Sequence, residues 1–405
     1  MSQQVYFVPD GTITTVTGFQ AGAAFAGIKT YAEDKLDLGL LYSTNACTCA
    51  AVFTTNKITS ASVKLNRKRV QNGGIRAVVV NSGIANTLVG EHGMTDARKM
   101  GDLAADQLGI PAEEVAVLNT GIIGVELPMA LIQATLPKIT LSDSGGNEFA
   151  RAILTTDTRT KEAAVTYEYG GRVVTVGGVA KGSGMIHPDM ATLLAFVATD
   201  ASVEADFLQR AVKAAADQSF NMISIDRDMS TNDTLLVMAN GAAGGVSVAE
   251  GTEEAGLFQE ALLQLCKYLA REVVRDGEGV SRLFEVKIEG AASNEEARIA
   301  ARTIASSSLV KSAVHGADPN WGRVMVALGY SGATVHEDKL ALYVNDVCIM
   351  ENGLPVPYFK DSIVLLMKNP EVSFRVHLNL GQGTATAWGC NLSEAYVTFN
   401  SAYTT

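Results

Sequence analysis

Apolar and polar positions along the chain alternate between two periods. Leu257, Ala261, Leu265, Leu269 and Val273 recur at helical spacing and predict a long helix over 257–274. Phe207, Leu208, Val212 and Ala215 predict a second over 203–218. Ser293 and Glu296 form a capping box for a helix to about 304, and Thr95 is placed to cap one ending at 108. Further helices are expected over 128–136 and near 362–368. Elsewhere the period is two. Phe284, Val286 and Ile288 alternate with Glu285, Lys287 and Glu289, which predicts a half-exposed strand over 283–289. Strands are also expected at 75–80, 115–118, 172–179, 221–226, 235–238, 372–378 and 384–388, with a hairpin around Asn345-Asp346. The strand at 75–80 should end in a polar loop, Asn81–Asn86, and that at 115–118 in the turn Asn119-Thr120-Gly121. The run Leu193–Thr199 is apolar throughout, β-compatible and bounded by polar residues, so it reads as a buried strand. Helices and strands are mixed in order, which favours a layered α/β body of the α+β kind over a strict βαβ arrangement.

Composition narrows the classes of function. The 405 residues suffice for two or three domain-sized units or one large body. A net charge of −11 without a basic patch argues against nucleic acid as the main partner. No apolar run approaches the length of a membrane span. The N-terminus, MSQQVYFVPDGTITT, has neither a basic nor an apolar leader region, so no signal peptide is expected. Five scattered cysteines read as reduced thiols in the cytoplasm.

Candidate chemistry gathers at KGSGMIHPDMATLLAFVATD, residues 181–200. A glycine-rich loop passes through the stiff His187-Pro188-Asp189 turn to Ala191-Thr192 at the mouth of the apolar strand. No GxxxxGK[ST], HExxH or GxSxG is present, which sets aside a phosphate loop, a zinc helix and a serine elbow. His187 is expected to hydrogen-bond within its loop rather than hold a metal. A threonine nucleophile is the economical remaining choice. Cleavage before Thr192 would free an α-amino group, with an ordinary pKa of about 7.7–8.0, as its base. An ordinary strand start explains the same residues. Thr120 and Gly121 could supply an oxyanion-binding hydroxyl and N–H. Glu278, flanked by glycines, could present a carboxylate to an amine.

KGSGMIHPDMATLL resembles the self-cleavage signature of the ornithine acetyltransferase family, also called glutamate N-acetyltransferases. GFQAGAAFAGIK, VFTTNKITSASV, LNTGIIG, TTDTRTK, STNDT, VRDGEG, DPNWGRV and YVTFNSAYTT resemble further family blocks in the same order. The resemblance implies a layered α-β-β-α type sandwich, related to but distinct from the N-terminal-nucleophile hydrolases. It implies cleavage between Ala191 and Thr192, giving an α chain, 1–191, and a β chain, 192–405, that share one folded body and assemble as α2β2. Thr192 would be the nucleophile, and Thr120 and Gly121 the oxyanion hole. Thr155, Lys181, Thr192, Glu278, Asn400 and Thr405 would bind substrate. The reaction implied moves acetyl from N2-acetylornithine to L-glutamate in the cytoplasm by a ping-pong route. No metal or cofactor is implied, and the residues leave acetyl-CoA open as a second donor. A self-processing amide hydrolase or aminopeptidase of related fold is the alternative enzyme, and an uncleaved binding protein the non-enzymatic one.

Overall fold

The computed structural model describes residues 4–30, 32, 35–187 and 193–402. Three sheets carry the chain. A six-stranded sheet runs in the order Val5–Val8, Lys161–Tyr169, Arg172–Lys181, Leu194–Thr199, Thr234–Ala239 and Thr48–Phe53. A four-stranded sheet follows the order Phe19–Ala24, Leu38–Ser43, Ala77–Ile84 and Val115–Ile122. A seven-stranded sheet is centred on Gly383–Cys390, Leu283–Ala291 and Glu371–His377.

Side-chain alternation explains how these layers stack. In the six-stranded sheet, Val176, Ala195, Val197, Leu235 and Val237 face the helices Ala205–Asp217 and Ala255–Arg275, meeting Phe207, Phe258 and Leu265. Their strand neighbours Val179, Leu194, Phe196, Ala198, Leu236 and Met238 point the other way and meet Leu41, Val78, Val80, Ala116 and Leu118 of the four-stranded sheet. The outer face of that sheet, with Leu38, Leu40, Val79 and Val117, is covered by Ala97, Met100 and Ala104 of helix Gly90–Leu108 and Ile132 of helix Met129–Thr135. The layers are therefore α-β-β-α, as expected. The apolar core continues from the helices Ala205–Asp217 and Ala255–Arg275 to the seven-stranded sheet and helix Asn294–Ser306. A strand such as Leu194–Thr199 is covered on both faces, which is why its sequence shows no alternation. Burying each of its large apolar side chains stabilises the fold by about 1.5–3 kcal/mol.

Several elements differ from expectation. Helix Gly90–Leu108 begins before Thr95, whose hydroxyl donates back to the Glu91 carbonyl instead of capping. The predicted strand over 221–226 shrinks to Ile223–Ser224, preceded by the short helix Phe220–Met222. Asn81–Ile84 and Asn119–Ile122 are strand rather than loop and turn. They extend each other by parallel pairing, with Asn81 opposite Asn119, Ser82 opposite Thr120 and Gly83 opposite Gly121. Local polarity concealed this because the partners lie far apart in sequence. The C-terminal stretch forms a helix, Glu394–Ala402, that buries none of its side chains and so shows no apolar stripe in the sequence.

A buried ion cluster ties three of these elements together. Lys161 Nζ lies 2.6 Å from Asp157 Oδ1 and 2.6 Å from Asp276 Oδ2, with the lysine and Asp157 side chains fully buried. Asp276 also accepts the backbone N–H of Thr158 at 3.0 Å and the Thr158 hydroxyl. Removing one partner of such a cluster leaves uncompensated buried charge. Lys161→Met should therefore lower the unfolding free energy by about 3–5 kcal/mol at neutral pH. Urea denaturation would check this; a loss below about 1 kcal/mol would mean that the two carboxylates find other compensation.

Candidate active site

The cleft lies where the strand ends of the two facing sheets approach one another. Lys181 closes strand Arg172–Lys181 and is paired with Leu194, which is paired in turn with Thr234. Thr120 and Gly121 sit near the end of strand Val115–Ile122. A cavity of about 280 Å³ between them is lined by Thr120, Gly121, Thr155, Lys181, Glu278 and Asn400. Those are six of the positions singled out from the sequence. Ala191, Thr192 and Thr405 lie outside the described residues. Leu193, the chain neighbour of Thr192, also lines the cavity.

The local geometry explains each placement. Gly121 has φ +129°, and a Cβ there would stand 2.2 Å from the Gly83 carbonyl carbon, so only glycine fits this close strand pair. Asn232 anchors the preceding residue: its Nδ2 donates to the carbonyls of Asn119, at 2.8 Å, and Ala85, at 2.7 Å. Lys181 Nζ donates to Thr120 Oγ1 at 3.5 Å, a long contact that leaves the Thr120 proton available to the cleft. Glu278 is held at both oxygens. Thr156 Oγ1 donates to Oε1 at 2.6 Å, and Asn400 Nδ2 donates to Oε2 at 2.7 Å. Ser183 Oγ stands 2.5 Å from Thr156 Oγ1, and Glu278 N donates to the Ser183 carbonyl at 2.9 Å. Gly279, next in sequence, has φ +70°; a Cβ on it would lie 2.6 Å from Tyr396 N. The glycine beside Glu278 thus admits the C-terminal helix, which carries Asn400 to the carboxylate.

The electrostatics separate two buried carboxyls. Burial alone would raise Asp157, but Lys161 and Lys181 hold it well below the usual carboxylate range, helped by the Gly182 N–H donating to it at 2.7 Å. Asp233 goes the other way. Burial raises its carboxyl well above the ordinary value, outweighing the hydrogen bonds from Ser230 and Thr54 and the attraction of Lys181. Its Oδ2 is buried and has no hydrogen-bond partner among the described residues. Burial also lowers the Lys181 ammonium, as does Lys161, against the pull of Asp157, Asp233 and Glu278. Lys181 therefore stands between an acid held below the ordinary carboxylate range and one raised above it.

Thr156, Asp157, Ser183, Asn232 and Asp233 are site residues that sequence reasoning did not single out. The polar blocks TTDTRTK and STNDT were the available signal, but nothing local distinguishes a support residue from a turn residue. His187 bonds outside its own loop: Nδ1 meets Ser224 Oγ at 3.1 Å and Nε2 meets the Arg302 guanidinium at 3.4 Å. Among the described residues no three His, Cys, Asp or Glu side chains gather into a metal-binding group. Nor is any helix among them long and apolar enough to cross a membrane.

Hydroxyl, amine and carboxylate converge at one open end of a buried two-sheet seam, a concave polar site of the kind in which enzymes hold small substrates. The ArgJ family model matches residues 20–405. The arginine biosynthesis bifunctional protein ArgJ of Dehalococcoides mccartyi is 47% identical over 405 residues, covering all of both chains. That of Symbiobacterium thermophilum is 47% identical over 397 residues, covering 98% of this chain and 99% of its own. A crystal structure of the Bacillus halodurans protein of that name is 37% identical, with a TM-score of 0.50, over 51% of this chain and 98% of its own. The chain belongs to the ArgJ family, the ornithine acetyltransferase family that its motifs resemble.

The Asp233 shift has a consequence for stability. A carboxyl whose folded pKa is raised withdraws stability as pH rises from its unfolded value, near 3.9, towards the folded one. Asp233→Asn should therefore be at least as stable as wild type at pH 7, with the relative benefit vanishing at about pH 4. Urea titrations at the two pH values would check this, and a variant markedly less stable at pH 7 would contradict a carboxyl raised by burial.

Proposed function

We propose that the chain cleaves itself between Ala191 and Thr192 and then moves acetyl from N2-acetylornithine to L-glutamate through an acetyl-threonine ester. The observation that carries this reading is the single cleft. Thr120, Gly121, Thr155, Lys181, Glu278 and Asn400 come from distant stretches and line one cavity together with Leu193. The half-length match also supports cleavage: 98% of the Bacillus halodurans chain corresponds to 51% of this one, as a protein cut in two would give. The α chain is then 1–191 and the β chain 192–405, and the core formed by strands from both halves keeps them in one body. An α2β2 assembly without metal or prosthetic group is part of the same proposal.

The steps follow from the residues. The α-amino group freed on Thr192 takes the proton from Thr192 Oγ, which attacks the acetyl carbonyl of N2-acetylornithine. Thr120 O–H and Gly121 N–H receive the negative charge of the tetrahedral adduct. Lys181, donating to the Thr120 oxygen, orients that hydroxyl. The C–N bond breaks, the departing amine takes up the proton, and acetyl remains on Thr192. Glutamate binds next; its neutral amine attacks the ester carbonyl, the Thr192 α-amino group carries the proton lost by that nitrogen to Oγ, and the C–Oγ bond breaks. Glu278 receives the side-chain ammonium of ornithine in the first half. Lys181 and Thr155 suit the substrate carboxylate. Acetyl-CoA is a candidate second donor to the same threonine.

Intact-mass measurement of purified wild type should show two fragments meeting at Ala191/Thr192, and Thr192→Ala should give one species of 42.7 kDa without activity. A wild type that stays whole and still transfers acetyl would place the nucleophile elsewhere. With N2-acetylornithine, acetylglutamate should form only when glutamate is added; glutamate-independent release of acetate would favour the hydrolase. Thr120→Ala should lower kcat by about 10²–10³ with a smaller change in KM, the signature of a lost oxyanion donor.

A further inference from the structure

Behind the cleft stands a half-buried cation, Lys29, that the reaction above does not use. Lys29 packs against Gly83, where an added Cβ would lie 2.8 Å from Lys29 Cβ and 2.9 Å from its Cα. Gly83 is the register partner of Gly121, and Ser82 that of Thr120. Lys29 Nζ donates to Ser82 Oγ at 3.1 Å and to the Leu154 carbonyl at 2.9 Å. Ser82 Oγ in turn donates to the Ala152 carbonyl at 2.6 Å. Leu154 directly precedes Thr155, which lines the cleft. One side chain therefore connects the strand behind the oxyanion donors to the backbone that carries a substrate-facing threonine.

The turn that presents Lys29 is itself fixed. Asp37, fully buried, accepts the backbone N–H groups of Ala26 and Ile28 at 2.6 Å each and that of Lys29 at 3.3 Å. Among the described residues both hydrogen-bond partners of the ammonium are neutral, so none of them cancels its charge at contact. Asp37 and Asp157 attract it from a distance, and Lys181 and Lys35 repel it. Arg151 and Arg159 share with it a second cavity of about 430 Å³ that also reaches Thr155. Burial, the largest influence, lowers the Lys29 ammonium to about 8.

We propose that Lys29 is a positioning residue for acyl transfer, tying the Ser82–Thr120 row to the Thr155 backbone and placing positive charge behind the oxyanion donors. The inference rests on the acyl-transfer reading of the cleft. Developing negative charge at Thr120 and Gly121 is favoured by a cation one strand away, because the intervening medium is protein rather than water. The ground state carries no such charge, so the benefit falls on kcat more than on KM.

The test measures acetyl transfer from N2-acetylornithine to glutamate for wild type, Lys29→Gln and Lys29→Arg between about pH 6 and pH 10. Lys29→Gln should lower kcat about tenfold or more while KM changes by less than about threefold. The ratio of wild-type to Lys29→Gln kcat, in which the titration of the Thr192 α-amino base cancels, should fall as pH rises through about 8, where Lys29 loses its proton. Lys29→Arg should recover most of kcat and carry it past that fall, since a guanidinium stays charged. A fall caused by Lys181 would persist in Lys29→Arg, which separates the two lysines. Wild-type kcat in Lys29→Gln, or an unchanged alkaline fall of the same ratio for Lys29→Arg, overturns the proposal. If Lys29→Gln gives no cooperative melt, the Lys29→Arg profile decides alone. A wild type that makes no acetylglutamate overturns the transferase reading instead; acetate release by the same three proteins then decides on Lys29, equal rates counting against it.

Discussion

The buried contact of Lys161 with Asp157 and Asp276 is the constraint on which the cleft depends. Each carboxylate holds more than the lysine. Asp157 also accepts the N–H groups of Thr155, at 3.1 Å, and Gly182, at 2.7 Å, and Asp276 accepts the N–H of Thr158. Thr155 and Lys181 are thereby fixed by one carboxylate, and Glu278 stands two residues beyond the other. A lysine in a strand of the six-stranded sheet thus sets the spacing between a loop, a glycine-rich turn and the end of the long helix Ala255–Arg275. Desolvating three charges is expensive, and such clusters gain little stability over an apolar replacement. What the cluster does provide is a single arrangement, because only one geometry satisfies all its donors and acceptors.

The sandwich serves the same end. Two sheets packed face to face leave their strand ends as the natural opening, and backbone donors converge there without disturbing the core. The glycines at 83 and 121 let these ends come closer than any side chain would permit. Lys181, Asp157 and Asp233 then sit at the margin between dry core and cleft. Burial shapes their proton affinity as much as their partners do: two lysines hold Asp157 below the usual carboxylate range, and burial raises Asp233 because its contacts are weaker. Such divergent carboxyls in one cleft are a recurrent feature of sites that manage protons.

Legibility in the sequence followed the range of the interaction. The helix Ala255–Arg275 and the strand Leu283–Ala291 were readable because their periodicity is local and strong. The Ser293 cap was readable because its hydroxyl accepts from Glu296 N, three residues on. Asn81–Ile84 and Asn119–Ile122 were not, since each is a strand only by virtue of the other. Helix Glu394–Ala402 was missed for a related reason: it buries none of its own side chains and is placed by contacts such as Asn400 with Glu278. Among the site residues, Thr120, Gly121 and Glu278 were candidates from their glycine-bearing turns, and Thr155, Lys181 and Asn400 came from family motifs. Thr156, Asn232 and Asp233 act through neighbours distant in sequence, so no local pattern marks them.

The sequence by itself determined the periodic elements, the α/β class and, through its motifs, the family and the residue types its chemistry needs. Only the tertiary structure decided that six of those residues share one cavity, that Lys161 joins Asp157 to Asp276, and that Lys29 stands behind the oxyanion strand. The physical reason is that periodicity and capping act over a few residues. Parallel pairing, desolvation and ion contact instead depend on which distant segments the folded core brings together.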